Sequence, residues 1–401
     1  MKKLEQLINN QIKDWSLDQK FYKDKEIFNL EIEKIYMNSW LLAGHESQIP
    51  NSGDYFLFNL LTESVIIIRG KDGLIRAFMN VCRHRGSHIC LESQGNVKRL
   101  MCPYHAWAYN LEGELVAATN LSTDIDKKNL SLHSCSIELI EGLIMINFSD
   151  HPKSIEMMKQ ELTAPMQMFG MKDLKIAAHK NYPIDANWKL TVENYNECYH
   201  CAPAHPEYAK SHSLKYDESS KEYELAQKPM KETLVKCGMK DYNIAADYDV
   251  QIESQEQYAY HRYALFGGYI TGSEDGKPLA PLIGDITDYN PGASDFSLGP
   301  VSFLLAYSDH VVAYVFTPVT HHTSQCDVYW MVGKDAKEGG DYDLERLIWL
   351  WDITTKADER IIVNNQKGVN SRKYSSGPFS EKESTEKRFI SWYLDQLRET
   401  L

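Results

Sequence analysis

Two short pairs of metal-binding residue types constrain this chain more than any other feature. Cys82-x-His84 is followed, after 17 intervening residues, by Cys102-x2-His105. Two cysteines and two histidines suit a structural zinc in a tetrahedral site. They also suit a [2Fe–2S] centre with two cysteines on one iron and two histidines on the other. The alternation favours the cluster, because each pair can then give one ligand to each iron. The surrounding sequence is β-rich, with none of the ββα pattern of a zinc finger. Tyr104, Trp107 and Tyr109 follow the second pair, where they can shield a cluster from water. His88 and Cys90 lie close by but fit no ligand slot, and are read as a surface histidine and a core thiol.

A second constellation, Glu197-x2-His200-x4-His205, lies in NWKLTVENYNECYHCAPAHPEY. Two imidazoles and a carboxylate are the ligand set of mononuclear Fe(II) oxygenases, which leave positions open for O2 and substrate. Mn(II) and zinc are also compatible with it.

The rest of the chain supplies a scaffold for these groups. Its 401 residues exceed one ordinary domain, and 43% hydrophobic with 25% charged residues is globular composition. Forty-three basic against 56 acidic residues leaves a net charge of −13, without the basic footprint of a nucleic-acid binder. No apolar run reaches 18 residues, and MKKLEQLINNQIKDW has no signal-peptide core, so a cytoplasmic location without membrane association is expected. In that compartment, closely spaced Cys and His favour metal over disulfides. Leu4, Leu7, Ile8 and Ile12 give residues 1–40 helical spacing. DYFLFNL, ESVIIIRG, LIRAFMNV and LIMINF are short β runs with turns such as Lys71-Asp72-Gly73 between them. Residues 152–180 read as helix and linker. VSFLLAY, HVVAYVFTPV and CDVYWMVG read as strands, 341–369 and the RFISWYLDQL end as helices, and 373–388 as a surface loop. The expected division is a 1–40 helical segment packing on the catalytic domain, a 41–150 cluster domain and a 151–401 catalytic domain.

VCRHRG and CPYHAWAYNLEGEL resemble the two cluster loops of the Rieske-type non-haem iron oxygenases, α subunit. The resemblance covers nearly the whole chain. It implies an α+β protein, in which a small all-β Rieske domain is inserted before a larger helix-grip (START-like) domain with an antiparallel sheet. It implies Cys82, His84, Cys102 and His105 as ligands of the [2Fe–2S] cluster, and His200 and His205 as ligands of a mononuclear Fe(II). It makes Glu197 the bridge that passes electrons from the cluster of one subunit to the iron of its neighbour. The family takes its third iron ligand from a D-x7-Q-x-G pattern, matched by Asp358, Gln366 and Gly368, with Asp352 and Glu359 as rivals. Glu359 points about 100° around the helix from Asp358. Most members carry Asp at the bridge. Glu followed by CYHC resembles the branch acting on quaternary ammonium compounds such as glycine betaine, carnitine and proline betaine.

The implied reaction is O2-dependent hydroxylation of an N-methyl group, with release of formaldehyde. Aromatic-ring hydroxylation or O-demethylation is the alternative within the family. A cluster-only electron carrier and a zinc hydrolase are the alternatives outside it. No GxGxxG signature is present, so NAD(P)H electrons are expected through a separate flavin/iron–sulfur reductase. The acidic charge permits steering towards a basic patch on that partner. A head-to-tail homotrimer is implied as the closed form of a heterologous interface. A cationic substrate wants an aromatic cage, worth roughly 0.5–2 kcal/mol per ring. Tyr258, Tyr260, Tyr263, Phe266, Tyr269, Tyr307, Tyr314 and Phe316 are candidates, none singled out.

Overall fold

The computed structural model describes residues 2–212, 220–236, 257–289 and 291–399, and Cys237 lies outside them. It divides into two compact units, Trp40–Pro152 and Met1–Ser39 with Lys153–Leu401. Among the described residues no helix is long and apolar enough to cross a membrane.

The unit Trp40–Pro152 is built from β1 (Leu41–His45), β2 (Asp54–Leu60), β3 (Glu63–Arg69), β4 (Ile75–Met79), β5 (Gln94–Asn96), β6 (Leu100–Met101), β7 (Ala108–Tyr109), β8 (Leu115–Ala117), β9 (Ser134–Ile140) and β10 (Leu143–Asn147). Val65, Ile66, Ile67 and Ile68 succeed one another in β3, and all four are fully buried. Such a β-branched run suits a strand covered on both faces. Seven strands form one antiparallel sheet in the order β1-β10-β9-β4-β3-β2-β5, and β6-β7-β8 form a small second sheet. The turn from β7 to β8 passes through Gly113 at φ +84°, where a Cβ would lie 2.5 Å from the Phe78 ring. Glycine is required there by both conformation and space.

The other unit begins with α1 (Lys2–Asn9), α2 (Gln19–Lys23) and α3 (Lys25–Glu31). After α4 (Glu156–Met168) come β11 (Leu174–Ile184), α5 (Trp188–Asn196), α6 (Cys201–Ala204), α7 (Pro206–Ala209) and α8 (Lys221–Lys236). β12 (Tyr258–Ala264), β13 (Gly292–Leu298), β14 (Ser302–Ala306), β15 (Val311–Pro318) and β16 (Ser324–Gly333) precede α9 (Leu344–Val369) and α10 (Ser384–Arg398). Among the described residues the strands form a six-stranded antiparallel sheet, β11-β16-β15-β14-β13-β12, with α5 packed on β15 and α9 on β11. This is the α+β architecture that the resemblance implies.

Three sequence expectations need correction. The 152–180 stretch is not helix and linker throughout, because β11 starts at Leu174 and pairs with β16 along its length. As an edge strand it leaves His179 and Asn181 exposed and Lys175 and Lys180 half-buried, which hides the apolar alternation. The 373–388 loop ends early, because α10 starts at Ser384. Closely spaced cysteines do not all stand ready for metal, because Cys198 and Cys201 are joined in a disulfide, their Cα atoms 5.0 Å apart.

The N-terminal helices are anchored by charge as well as by apolar packing. Glu31 is fully buried and accepts from Trp188 Nε1 (2.8 Å), Lys189 Nζ (2.7 Å) and the Tyr393 hydroxyl (2.5 Å). Lys189 is equally buried and faces the Trp188, Tyr22 and Tyr393 rings. One carboxylate thus ties α3 to α5 and α10.

Candidate functional site

Two loops of matching construction bring the first four candidate residues together. Cys82 receives Gly86 N–H on its carbonyl, and Cys102 receives Ala106 N–H in the same way, both at 3.0 Å. Both loops turn through a positive φ at that fourth position, Gly86 at +79° and Ala106 at +58°. The conformation costs a non-glycine residue roughly 1–2 kcal/mol, a strain met most often at functional sites. The loops place Cys82 beside Cys102, both buried and neither in a disulfide. His84 and His105 meet with ring centroids 4.6 Å apart, and both are exposed.

The cysteine pair is therefore inside and the histidine pair outside. That segregation fits a two-iron cluster with one iron under each pair. The aromatics surround it closely. Trp107 stacks on His84 at 4.7 Å, and Tyr104 on His105 at 3.9 Å. The Tyr109 hydroxyl lies 3.4 Å from Cys82 Sγ and accepts Arg83 N–H at 3.1 Å. Tyr104 itself is exposed, unlike the buried Trp107 and Tyr109. Cys90 is buried and His88 exposed, as the sequence reading has them.

The second constellation sits where α5 ends. Asn187 caps α5 with its side chain, and its own N–H is bound by Gln366 Oε1 of α9 at 2.8 Å. After Asn196 the chain leaves the helix and presents Glu197, His200 and His205 from short turns. Asp358 of α9 meets both histidines: its Oδ1 lies 3.2 Å from His200 Nε2 and 3.1 Å from His205 Nε2. The second approach is not aligned as a hydrogen bond, so among the described residues both ring nitrogens of the buried His205 lack a hydrogen-bond partner. Donor atoms sharing an ion at about 2.1 Å lie about 3 Å apart, so Asp358 Oδ1 stands at ion-sharing distance from each histidine. Burial alone would lower the His200 pKa, but the Asp358 and Glu197 carboxylates hold it up at about 9. The site is thus built to take positive charge.

The rival carboxylates are placed elsewhere. Asp352 accepts from Tyr182 (2.6 Å), Lys180 (3.0 Å) and Lys356 (2.7 Å). Glu359 touches neither histidine among the described residues. Cys201 Sγ lies within 4.8 Å of the histidine nitrogens, but its bond to Cys198 leaves it no thiolate to offer. Glu197 stands on the opposite side of His200: Oε1 is 2.6 Å from Nδ1, while Oε2 accepts the backbone N–H of His200 (3.1 Å) and of Tyr199.

An aromatic layer continues from His205 into the domain. Tyr208 meets the His205 ring edge-on at 5.2 Å and stacks on His212 at 4.2 Å. Trp351 of α9 packs on Tyr208, His212, Tyr307 and Tyr314, while Tyr195 of α5 packs on Phe303, Tyr314 and Phe316. Of the nominated aromatics, Tyr263, Tyr307, Tyr314 and Phe316 belong to this layer. Tyr258 and Tyr260 alternate with Tyr263 on β12 and so face the other side of the sheet, buried. Phe266 and Tyr269 follow β12, Phe266 near Tyr223 and Tyr269 donating to the Glu274 carbonyl. Tyr195, Tyr208, His212 and Trp351 were not singled out in the sequence. Tyr195 and Tyr208 lie in the histidine segment itself, and proximity to it is the signal that could have found them.

Glu193, one turn before Glu197, accepts from the Tyr22 hydroxyl at 2.9 Å. Burial raises its pKa to about 8 against the lowering pull of Tyr22 and Lys189. The folded protein then holds a proton that the unfolded chain releases near pH 4.5, so stability falls as pH rises from there to about 8. Glu193→Gln keeps the neutral, hydrogen-bonded form. Its thermal midpoint relative to wild type should rise between pH 5 and pH 8 in paired melts. A constant difference would reject the shift.

Residues 39–132 match the Rieske [2Fe–2S] domain, and residues 171–399 match the ring-hydroxylating alpha subunit (catalytic domain). The chain belongs to the Rieske non-haem iron monooxygenase family, as an oxygenase (α) subunit. It is 32% identical over 394 residues to the glycine betaine monooxygenase oxygenase subunit of Pseudomonas aeruginosa, covering 96% of this chain and 90% of that one. The carnitine monooxygenase oxygenase subunit of Acinetobacter pittii is 39% identical over 202 residues, 49% of this chain and 54% of that one. A solved quaternary ammonium Rieske monooxygenase, described for carnitine oxidation by gut microbiota and inter-subunit electron transfer, superimposes with a TM-score of 0.72. It is 25% identical and is matched over 98% of this chain and 97% of that one.

Proposed function

We propose that the protein hydroxylates an N-methyl group of a small quaternary ammonium or betaine, such as glycine betaine. The hemiaminal so formed collapses to formaldehyde and the demethylated amine. The observation that carries this reading is the convergence of His200, His205 and Asp358 beside an aromatic layer, with Glu197 behind His200. Cys82, His84, Cys102 and His105 would hold the [2Fe–2S] cluster, and His200, His205 and Asp358 the mononuclear iron. When bound, these groups supply O2 activation, with one oxygen atom going into the C–H bond and the other leaving as water.

The chain's own residues set the conditions for that chemistry. Glu197 accepts from His200 Nδ1, which fixes the tautomer and turns Nε2 towards Asp358. Asp358 meets His200 Nε2 in a hydrogen bond and stands 3.1 Å from His205 Nε2. The exposed edges of His84 and His105 are open to a second protein surface. In a head-to-tail trimer that surface is the Glu197 face of the neighbouring subunit, and Glu197 is the bridge between the two centres. Electrons enter from NAD(P)H through a separate reductase, in the cytoplasm.

The test is formaldehyde release from glycine betaine, carnitine and proline betaine with a reductase, NADH and O2. Turnover of aromatic acids, with silence across the betaines, would reject the reading.

A further inference from the structure

We propose that Asp295 is the counter-ion that makes this site select an organic cation, closing a tyrosine cage beside the proposed iron ligands. The inference rests on the site described under the proposed function and adds the residue that decides charge.

Asp295 lies on β13, which is flanked on both sides by β12 and β14. Its ladder partner is His261, so it shares the face that carries Tyr263. On β14 its partner is Leu305, and Phe303 on that face packs against Tyr195 of α5. The carboxylate therefore points to the side of the sheet that holds the aromatic layer. It keeps accessible surface even though its strand is interior, as do Tyr195, Tyr208 and Tyr263.

Among the described residues Asp295 receives one hydrogen bond, from the Tyr263 hydroxyl at 3.3 Å, and forms no ion pair. Burial pushes its carboxyl up to about 7. Its charge reaches four hydroxyls: after burial itself, Asp295 raises the pKa of Tyr195, Tyr208 and Tyr263, and of Tyr307 together with Tyr208. Those rings come from α5, α7, β12 and the residue after β14, so hydroxyls on four separate elements feel one carboxylate. Tyr208 in turn touches His205.

A desolvated carboxylate with no cation beside it is driven towards its protonated form, and a bound cation holds it ionised instead. A methylated ammonium does so without requiring hydrogen bonds, and its methyl groups lie on the negative faces of the rings. A neutral arene would fill the same space but leave Asp295 unpaired, so the residue also selects against it.

The test compares affinities by calorimetry on the iron-loaded protein. The cations choline, glycine betaine and carnitine are set against 3,3-dimethylbutan-1-ol, the neutral isostere of choline. Wild type should bind choline at least 20-fold more tightly than the isostere. Asp295→Asn should lose at least 10-fold for the cations and leave the isostere unchanged. Asp295→Glu, which keeps the charge, should retain the preference and shows that the fold tolerates change at this position. Cation affinities unchanged in Asp295→Asn, or no preference in wild type, would overturn the proposal. Asp295-dependent cation binding without formaldehyde release rejects N-demethylation and leaves the counter-ion standing. Formaldehyde release indifferent to Asp295→Asn does the reverse.

Discussion

Replacing Glu197 with Ala leaves both metals bound and lowers coupled turnover roughly 100-fold, the upper end of what loss of an outer-sphere partner costs. The four cluster candidates and the three iron candidates are untouched by the change. What disappears is the carboxylate whose two oxygens hold His200, one at Nδ1 (2.6 Å) and one at its backbone N–H (3.1 Å). Without it the imidazole is free to change tautomer, and the proposed contact to a neighbouring cluster is gone. Iron content and the visible spectrum of the cluster should match wild type. In a single turnover the reduced cluster should stay reduced when O2 and substrate are added. Turnover near the wild-type rate would show that Glu197 is not the bridge.

Glu31→Ala should cost roughly 3–5 kcal/mol of stability, the range for removing one partner of a buried ion pair. The change strands Lys189 in a site of zero exposure and leaves Trp188 Nε1 and the Tyr393 hydroxyl without their acceptor. Burial already lowers the Lys189 pKa while Glu31 opposes it, so the variant tips Lys189 towards the neutral amine. Glu31→Leu combined with Lys189→Met, which removes both charges, should recover much of the loss, because two apolar groups replace a pair whose desolvation was itself costly. Urea midpoints of wild type, both single variants and the double variant measure this. Equal midpoints for Glu31→Ala and wild type would show that the network adds nothing.

These residues differ in how far they could be read without a structure. Cys82, His84, Cys102 and His105 stand out because their chemistry is carried by residue type and by spacing within two loops. Each loop is closed by its own backbone hydrogen bonds, so local sequence is enough to place its two side chains. His200 and His205 are legible for the same reason. Asp358 lies more than 150 residues further on, and only the resemblance to a D-x7-Q-x-G pattern pointed to it. Glu31 and Lys189 gave no signal at all, since a glutamate and a lysine in helical segments are ordinarily solvated. Gly292 and Asp295 depress the β propensity of β13, so neither the strand nor its carboxylate stands out in the sequence.

By itself the sequence determined which ligand sets this chain can offer, because metal chemistry depends on residue type and short spacing. Only the tertiary structure decided that the cysteines lie inside and the histidines outside. It also decided that Asp358 rather than Asp352 meets His200 and His205. And it turned Asp295 towards the tyrosines, because burial and the facing of strands from distant parts of the chain arise only when the sheet closes against its helices.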